Sequence, residues 1–199
     1  EMCRRDRSEI SSLKVATMKL EHLVYSIAIA IIFGMIYRRI TGRESSYIIV
    51  LSAYTPDLDI IADAVLRKIG VTVLVYSAPI DHGDFHNIGV LLVYAVVVSF
   101  LLHPLGVRFV DSFIFASVGF AAHLLEDALV FSQGYRMLWP LSFQKFGIGL
   151  FKYKADLYGV ADKEVLAVGL ILVGVCAIIR TIYERKGWIK RSISLGRGR

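Results

Sequence analysis

Apolar residues gather into long runs along this chain, separated by short stretches rich in Arg, Lys, Asp and His. From Leu20 to Tyr37 the residues are apolar on every side of a helix, as a bilayer span requires and a surface helix does not. Arg38, Arg39 and Arg43 close this run, and Gly42 marks the turn. The second run, Tyr47 to Leu66, is interrupted by Tyr54-Thr-Pro-Asp-Leu-Asp59. Proline breaks a helix interior but suits a first position, so the run reads as two helical pieces joined at a polar kink. Thr55 is expected to cap the second piece, with Asp57 in its first turn. A broken helix in a membrane needs to be buried in protein or to line a cavity. Val71 to Ile80 is too short to span and reads as an interfacial or re-entrant piece, or a short helix packed on the site. A third span follows from Ile88 to Leu102, and His103-Pro-Leu-Gly106 turns it into a fourth, Val107 to Phe131. Residues 132–163 mix aromatic and basic side chains and suit the membrane surface. Val165 to Tyr183 is the last span. The pattern predicts an all-α integral membrane protein: a bundle of about five transmembrane helices with a broken second helix and an interfacial segment.

Domain organisation follows from the same pattern. Residues 1–19 form a polar, basic arm, 20–184 the transmembrane domain, and 185–199 a basic tail. Met18-Lys-Leu-Glu-His22 looks like a natural start, which would make the preceding arm an extension. The composition agrees with a membrane protein: 56% hydrophobic residues and a mean hydropathy of +0.60 exceed what soluble domains carry. The net charge of +6 sits in the tails and between apolar runs, where lipid headgroups account for it, and so argues against nucleic acid. Cys3 and Cys176 are far apart and have no ligand spacing, which excludes a disulfide framework or a zinc ribbon.

Charge and imidazole inside such runs change the picture. His123 and Asp127 are four apart on the fourth span and share a helix face, and together make half of a divalent-metal site. The bland alternative is a helix-packing hydrogen bond, worth about 0.6 kcal/mol in membranes. Other donors stand at His22, at Asp57 and Asp59, and at His82 and His86. Following the chain back and forth across the bilayer puts all of these places on one face. Asp57 and Asp59 point in different directions on a helix, so one is a ligand and the other caps or orients; the pattern does not choose. Gly83 makes a turn of the His82–His86 stretch, so His86 ranks no lower than His82. Glu126 is either exposed or just behind the ligands, and Asp63 reads as a supporting group. His103 and Asp111 lie towards the other face and read as structural. Lys and Arg divide almost evenly between the faces. The basic residues before the first span, Arg4, Arg5, Arg7, Lys14 and Lys19, favour a cytoplasmic site.

In order, His22, Pro56-Asp57-Leu58-Asp59, His82-x3-His86, His123-x3-Asp127, Gly134 and Trp139-Pro140 resemble the YdjM-like family of LexA-binding, inner-membrane-associated metal-dependent hydrolases. The resemblance runs from Met18 to the last span. The family pattern has Arg after the first His of the pair and Ser after the second, where this chain has Gly83 and Asn87. More distantly, the ligand order is similar to that of the helical zinc phospholipases C and single-strand nucleases. These likenesses imply a zinc-dependent hydrolysis of phosphoesters.

The expected ligands are therefore His22, Asp57, Asp59, His82, His86, His123 and Asp127, holding one or two divalent ions, zinc by preference. Asp59 or Asp84 would serve as the base that takes a proton from water. The substrate would be a small-molecule or lipid ester presented at the membrane. No Gly-x-Ser-x-Gly elbow and no phosphate-binding glycine loop is present. Two rivals remain from the sequence: a divalent-cation or proton transporter, and an adaptor whose metal only holds the bundle together.

Overall fold

The computed structural model describes residues 20–75, 78–80, 83–130, 134–150, 154, 157 and 161–196, the side chains of 75, 78, 79 and 186–196 excepted. The N-terminal arm 1–19 and His82 lie outside them. Six helices carry the chain: α1 (Leu20–Thr41), α2 (Tyr47–Leu51), α3 (Leu58–Lys68), α4 (Ile88–Leu102), α5 (Phe109–Val130) and α6 (Lys163–Gly196). Single 3-10 turns, Ser52–Tyr54 and His103–Leu105, follow α2 and α4. The only other regular element described is an antiparallel ladder of two-residue strands, β1 (Leu74–Val75) and β2 (Ala78–Pro79).

Among the described residues four segments are long and apolar enough to cross a membrane: Leu20–Thr41, Ile88–Leu105, Phe109–Val130 and Lys163–Arg185. The expected second span is not one long helix. Between Tyr47 and Lys68 the chain makes a helix of five residues, a 3-10 turn and a helix of eleven, none long enough to span alone. Pro56 does not occupy a first helical position. Helix α3 begins only after Asp57, and Asp57, not Thr55, is its N-cap residue. Of the alternatives for Val71–Ile80, the short helix is dropped, because Leu74–Val75 and Ala78–Pro79 pair as β1 and β2. Helix α6 continues into the basic tail as far as Gly196.

The packing shows why these helices associate. Lipid tails are as apolar as leucine, so close approach of small residues does the work. On α1 the buried positions include Ser26, Ala28, Ala30 and Gly34. A Cβ on Gly119 of α5 would sit 2.6 Å from the Ile49 carbonyl oxygen and 2.7 Å from the Ser52 Cβ. This contact seats α2 against the middle of α5. Around it lies the core of Ala30, Ile48, Ile49, Ala95, Phe115 and Ala116. Ser52 Oγ is 2.7 Å from its own i−4 carbonyl and 2.9 Å from Tyr94 Oη, so these two hydroxyls are paired.

Each end of the bundle has a polar lock. At the end where α1 finishes and α5 begins, the Asp111 carboxylate accepts from Arg43 Nε at 2.6 Å and from the Tyr37 hydroxyl at 2.6 Å. Asp111 is thus structural, as its position implied. His103, exposed in the α4–α5 turn, has no part in it. The opposite end holds His22, the third residue of α1, His86, just before α4, and Asp127, in the last turn of α5.

Candidate metal centre

Three backbone devices aim side chains into this end. The first is the start of α4. The Asn87 side chain accepts from Val90 N at 2.9 Å, and the carbonyls of Met137 and Trp139 accept from Ile88 N and Gly89 N at 2.9 Å each. The α4 N-terminus is thereby held on the Gly134–Pro140 segment, and His86 is held with it. The second is the end of α5, where the Ala128 carbonyl accepts from Ile148 N at 2.6 Å and the Leu129 carbonyl from Leu150 N at 2.7 Å. Those bonds satisfy carbonyls that a helix end leaves open, and they fix the turn carrying His123 and Asp127. The third is the kink before α3, which turns the Asp57 carboxylate inward. Asp57 makes no side-chain cap bond, so capping does not explain it.

Six of the predicted residues converge. His22, Asp57, Asp59, His86, His123 and Asp127 are all buried. The three imidazoles share one arrangement, in which Nδ1 faces an acceptor outside the cluster and Nε2 faces inward. His22 Nδ1 is 2.9 Å from Glu126 Oε2, His123 Nδ1 is 2.7 Å from the Ala53 carbonyl, and His86 Nδ1 is 3.3 Å from Asp59 Oδ2. On the inner side, His86 Nε2 lies 3.5 Å from Asp57 Oδ1 and 3.3 Å from Asp127 Oδ2. His123 Nε2 lies 3.7 Å from Asp57 Oδ1 and 3.5 Å from Asp127 Oδ2, and His22 Nε2 is 3.9 Å from Asp127 Oδ1. Two overlapping donor triads result, His22–Asp57–His123 and His86–His123–Asp127, each with ligand atoms within 4.8 Å of one another.

Asp59 stands behind His86 and belongs to neither triad. Its Oδ2 accepts from Gly83 N at 2.7 Å and Phe85 N at 3.4 Å, so it shapes the turn that delivers His86. Asp84 is half-buried in that turn, and its main-chain carbonyl accepts from the Asn87 side chain at 2.7 Å. Asp63 pairs with Arg67 at 2.7 Å on the exposed side of α3, which corrects its expected supporting role. Glu126 is buried and bonded to His22, so the alternative that it is exposed is dropped. Sequence reasoning did not find Tyr135, whose ring centroid is 4.3 Å from that of His86. Gly83, at φ 103, leaves the space that this ring fills, since a Cβ there would be 2.4 Å from it. The Ala53 carbonyl also escaped notice, because a main-chain acceptor has no sequence signature.

The charges in the cluster are strongly coupled. Burial alone would keep His86 neutral. Hydrogen bonds to Asp57 and Asp59, with the charge of Asp127, outweigh burial and push it up to about 9. Burial would likewise raise the Asp57 carboxyl, but the bond to His86 and the charges of His123 and His22 hold it below its ordinary value. His86 Nε2 and His123 Nε2 also face each other at 3.3 Å. Two imidazole lone pairs approach so closely only when a proton or a metal ion sits between acceptors.

Comparison with known sequences gives the same picture from another direction. The model of the family described as YdjM inner membrane protein matches residues 17–187, most of the chain. The chain belongs to the YdjM inner membrane protein family. Neither the curated proteins nor the solved structures give a match. Membership, with the four apolar helices, makes this a membrane protein. Within this YdjM-family chain the match includes every residue of the two donor triads.

The Glu126–His22 bond offers a direct check. Groups that orient metal-ligating histidines are worth about 10–100-fold in metal affinity. Glu126→Gln keeps an acceptor of the same size and removes the charge. A chelator-competition titration is expected to show affinity weaker by about 10-fold or more, with an unchanged helical circular-dichroism spectrum. Unaltered affinity would deny Glu126 this task.

Proposed function

We propose that the protein is a membrane-embedded metal-dependent hydrolase that cleaves a phosphoester or other ester, lipid esters included. The observation that carries this reading is the common orientation of the three imidazoles, each with Nδ1 held from behind and Nε2 turned towards Asp57 and Asp127. Histidines that bind metal are held in this way, with the second nitrogen fixing tautomer and ring orientation. The inner contacts of 3.3–3.9 Å are short enough for these donors to share one ion at about 2.0–2.2 Å from each. We assign His22, Asp57, His86, His123 and Asp127 as ligands, and Asp59 and Glu126 as the groups that orient them.

His123 belongs to both triads but has only Nε2 to offer, so the two triads describe one compact centre and not two separate ones. Two carboxylates and three neutral imidazoles balance the charge of one divalent ion, which suits a buried site. Zinc fits mixed nitrogen and oxygen donors. Such an ion lowers the pKa of bound water and stabilises charge developing on the ester. The protein's own part is to hold the donors rigid, exclude bulk water and accept a proton. We keep Asp59 and Asp84 as the two carboxylates that would take the proton, both carried near His86 by the residues around the 83–87 turn. We assign the centre to the cytoplasmic side, which the basic residues preceding α1 favour.

The transporter reading has less support. Ion pathways need polar groups at successive depths. At the far end, Asp111 is neutralised by Arg43, and at middle depth Ser52 is already bonded to Tyr94 and its own helix. The deciding measurement is elemental analysis of protein purified from membranes, followed by phospholipid and soluble phosphoester substrates. Expected are a divalent metal near one per chain and ester cleavage that a chelator stops. Protein that carries no divalent metal after gentle purification would overturn the reading.

A pH dependence follows from His86. Its pKa is raised from the ordinary 6.5 to about 9, so the stabilisation its charge gives the metal-free protein is complete below pH 6.5 and lost as pH rises through 9. Metal must displace the same proton. Affinity is therefore expected to rise with pH, by up to about tenfold per unit, and to level off above about 9. Calorimetry in buffers of different ionisation heat should record the proton released at neutral pH and not above pH 9. A flat profile would show that His86 is not a ligand.

A further inference from the structure

Helix α3 leaves the metal centre and packs little against the rest of the protein. Asp59, in its first turn, is its one buried residue. Leu58, Ile61, Val65 and Ile69 are exposed at 41%, 49%, 52% and 64%. At 100° per residue these four fall within a stripe of about 80°, with Arg67 opposite. Asp63, Leu66 and Arg67, on the other side of the helix, line a small cleft with Val71, Thr72, Val73 and Ile80, so the stripe turns away from the residues that α3 faces. A second exposed apolar element stands at the same end of the bundle. Phe143, Phe146 and Leu150 are exposed at 65%, 48% and 65%, on the segment whose Leu150 amide is bonded to the last turn of α5.

We infer that α3 and the 141–150 segment form a lipid-inserted collar, lying in the headgroup–acyl boundary around the metal centre. Depth is the deciding argument. The first turn of α3 is tied through Asp59 to the turn before α4, and the 148–150 backbone is tied to the end of α5. Both elements therefore start at the level where candidate spans begin or end, and their apolar faces continue the lipid-facing surface of those spans. An amphipathic helix at this level buries its stripe about 5–10 Å into the boundary. Lys68, at the edge of the stripe, can reach the headgroups on its long stem.

The test uses the full chain in nanodiscs, with Cys3→Ser and Cys176→Ser to leave one introduced cysteine at a time. Nitroxides at Ile61, Val65, Phe143 and Arg67 are probed with oxygen, which partitions into lipid, and with a water-soluble nickel chelate. Ratios several-fold higher at 61, 65 and 143 than at 67 are the expected result. Equal, water-like accessibility at all four would overturn the collar. So would shielding from both probes with short label-to-label distances, the mark of a second copy covering the stripe. Metal content measured on the same samples separates failure of the collar from failure of the metal centre, which it does not require.

Discussion

Protein carrying His123→Ala is expected to retain almost no divalent metal and no hydrolytic activity. His123 is the one donor common to both triads, and it sits with its ring stacked at 3.8 Å on that of His22. Groups that merely orient ligands cost about 10–100-fold in affinity, so loss of this shared ligand should exceed about 100-fold. Removing a buried ring also leaves a cavity, which could lower metal content by loosening the bundle. Asp127→Asn separates the two effects. It preserves volume, removes the charge shared by His22, His86 and His123, and should lose metal as well. His103→Ala, at the other end of the bundle, should change neither. Elemental analysis alongside thermal melts in detergent checks all three. Metal retained by both His123→Ala and Asp127→Asn would mean that these residues only pack.

Gly119→Leu is expected to disrupt the bundle itself. The substituted Cβ would lie 2.6 Å from a main-chain oxygen and 2.9 Å from the Cα of Ile49, and backbone cannot swing aside as a side-chain end can. Overpacking of this kind costs about 1–3 kcal/mol, more where nothing yields, and this site is at the upper end. Because α2 leads straight into the kink bearing Asp57, its displacement should weaken metal binding too. Gly174→Leu supplies the control, since a Cβ there meets nothing within 4 Å. Melting midpoints of both variants in the same detergent test the claim, and similar midpoints would contradict it.

Much of the candidate site could be read in the sequence because membrane chemistry filters what is allowed. His123 and Asp127 stand out within an apolar helix, where an ionisable residue is costly to keep. The order of His22, Asp57, His86 and that pair then placed them at one end by counting crossings. The choice between Asp57 and Asp59 could not be read. Both follow a proline, and only the path of the 83–87 turn shows that Asp59 receives its amides while Asp57 faces the imidazoles. Glu126 had the right neighbours, but its bond to His22 spans 104 residues, a separation that no local pattern reports.

By itself the sequence determined the membrane class, the four long apolar helices and the donor residues, because each depends on local composition and periodicity. Tertiary structure alone decided the rest. It reduced the second apolar run to two short helices around a kink, since a run of that length crosses as one helix only if its backbone stays continuous. It also aligned three Nε2 atoms on two carboxylates and gave each Nδ1 its own acceptor. Ring orientation is set by hydrogen bonds between distant segments, and those segments meet only once the helices have packed.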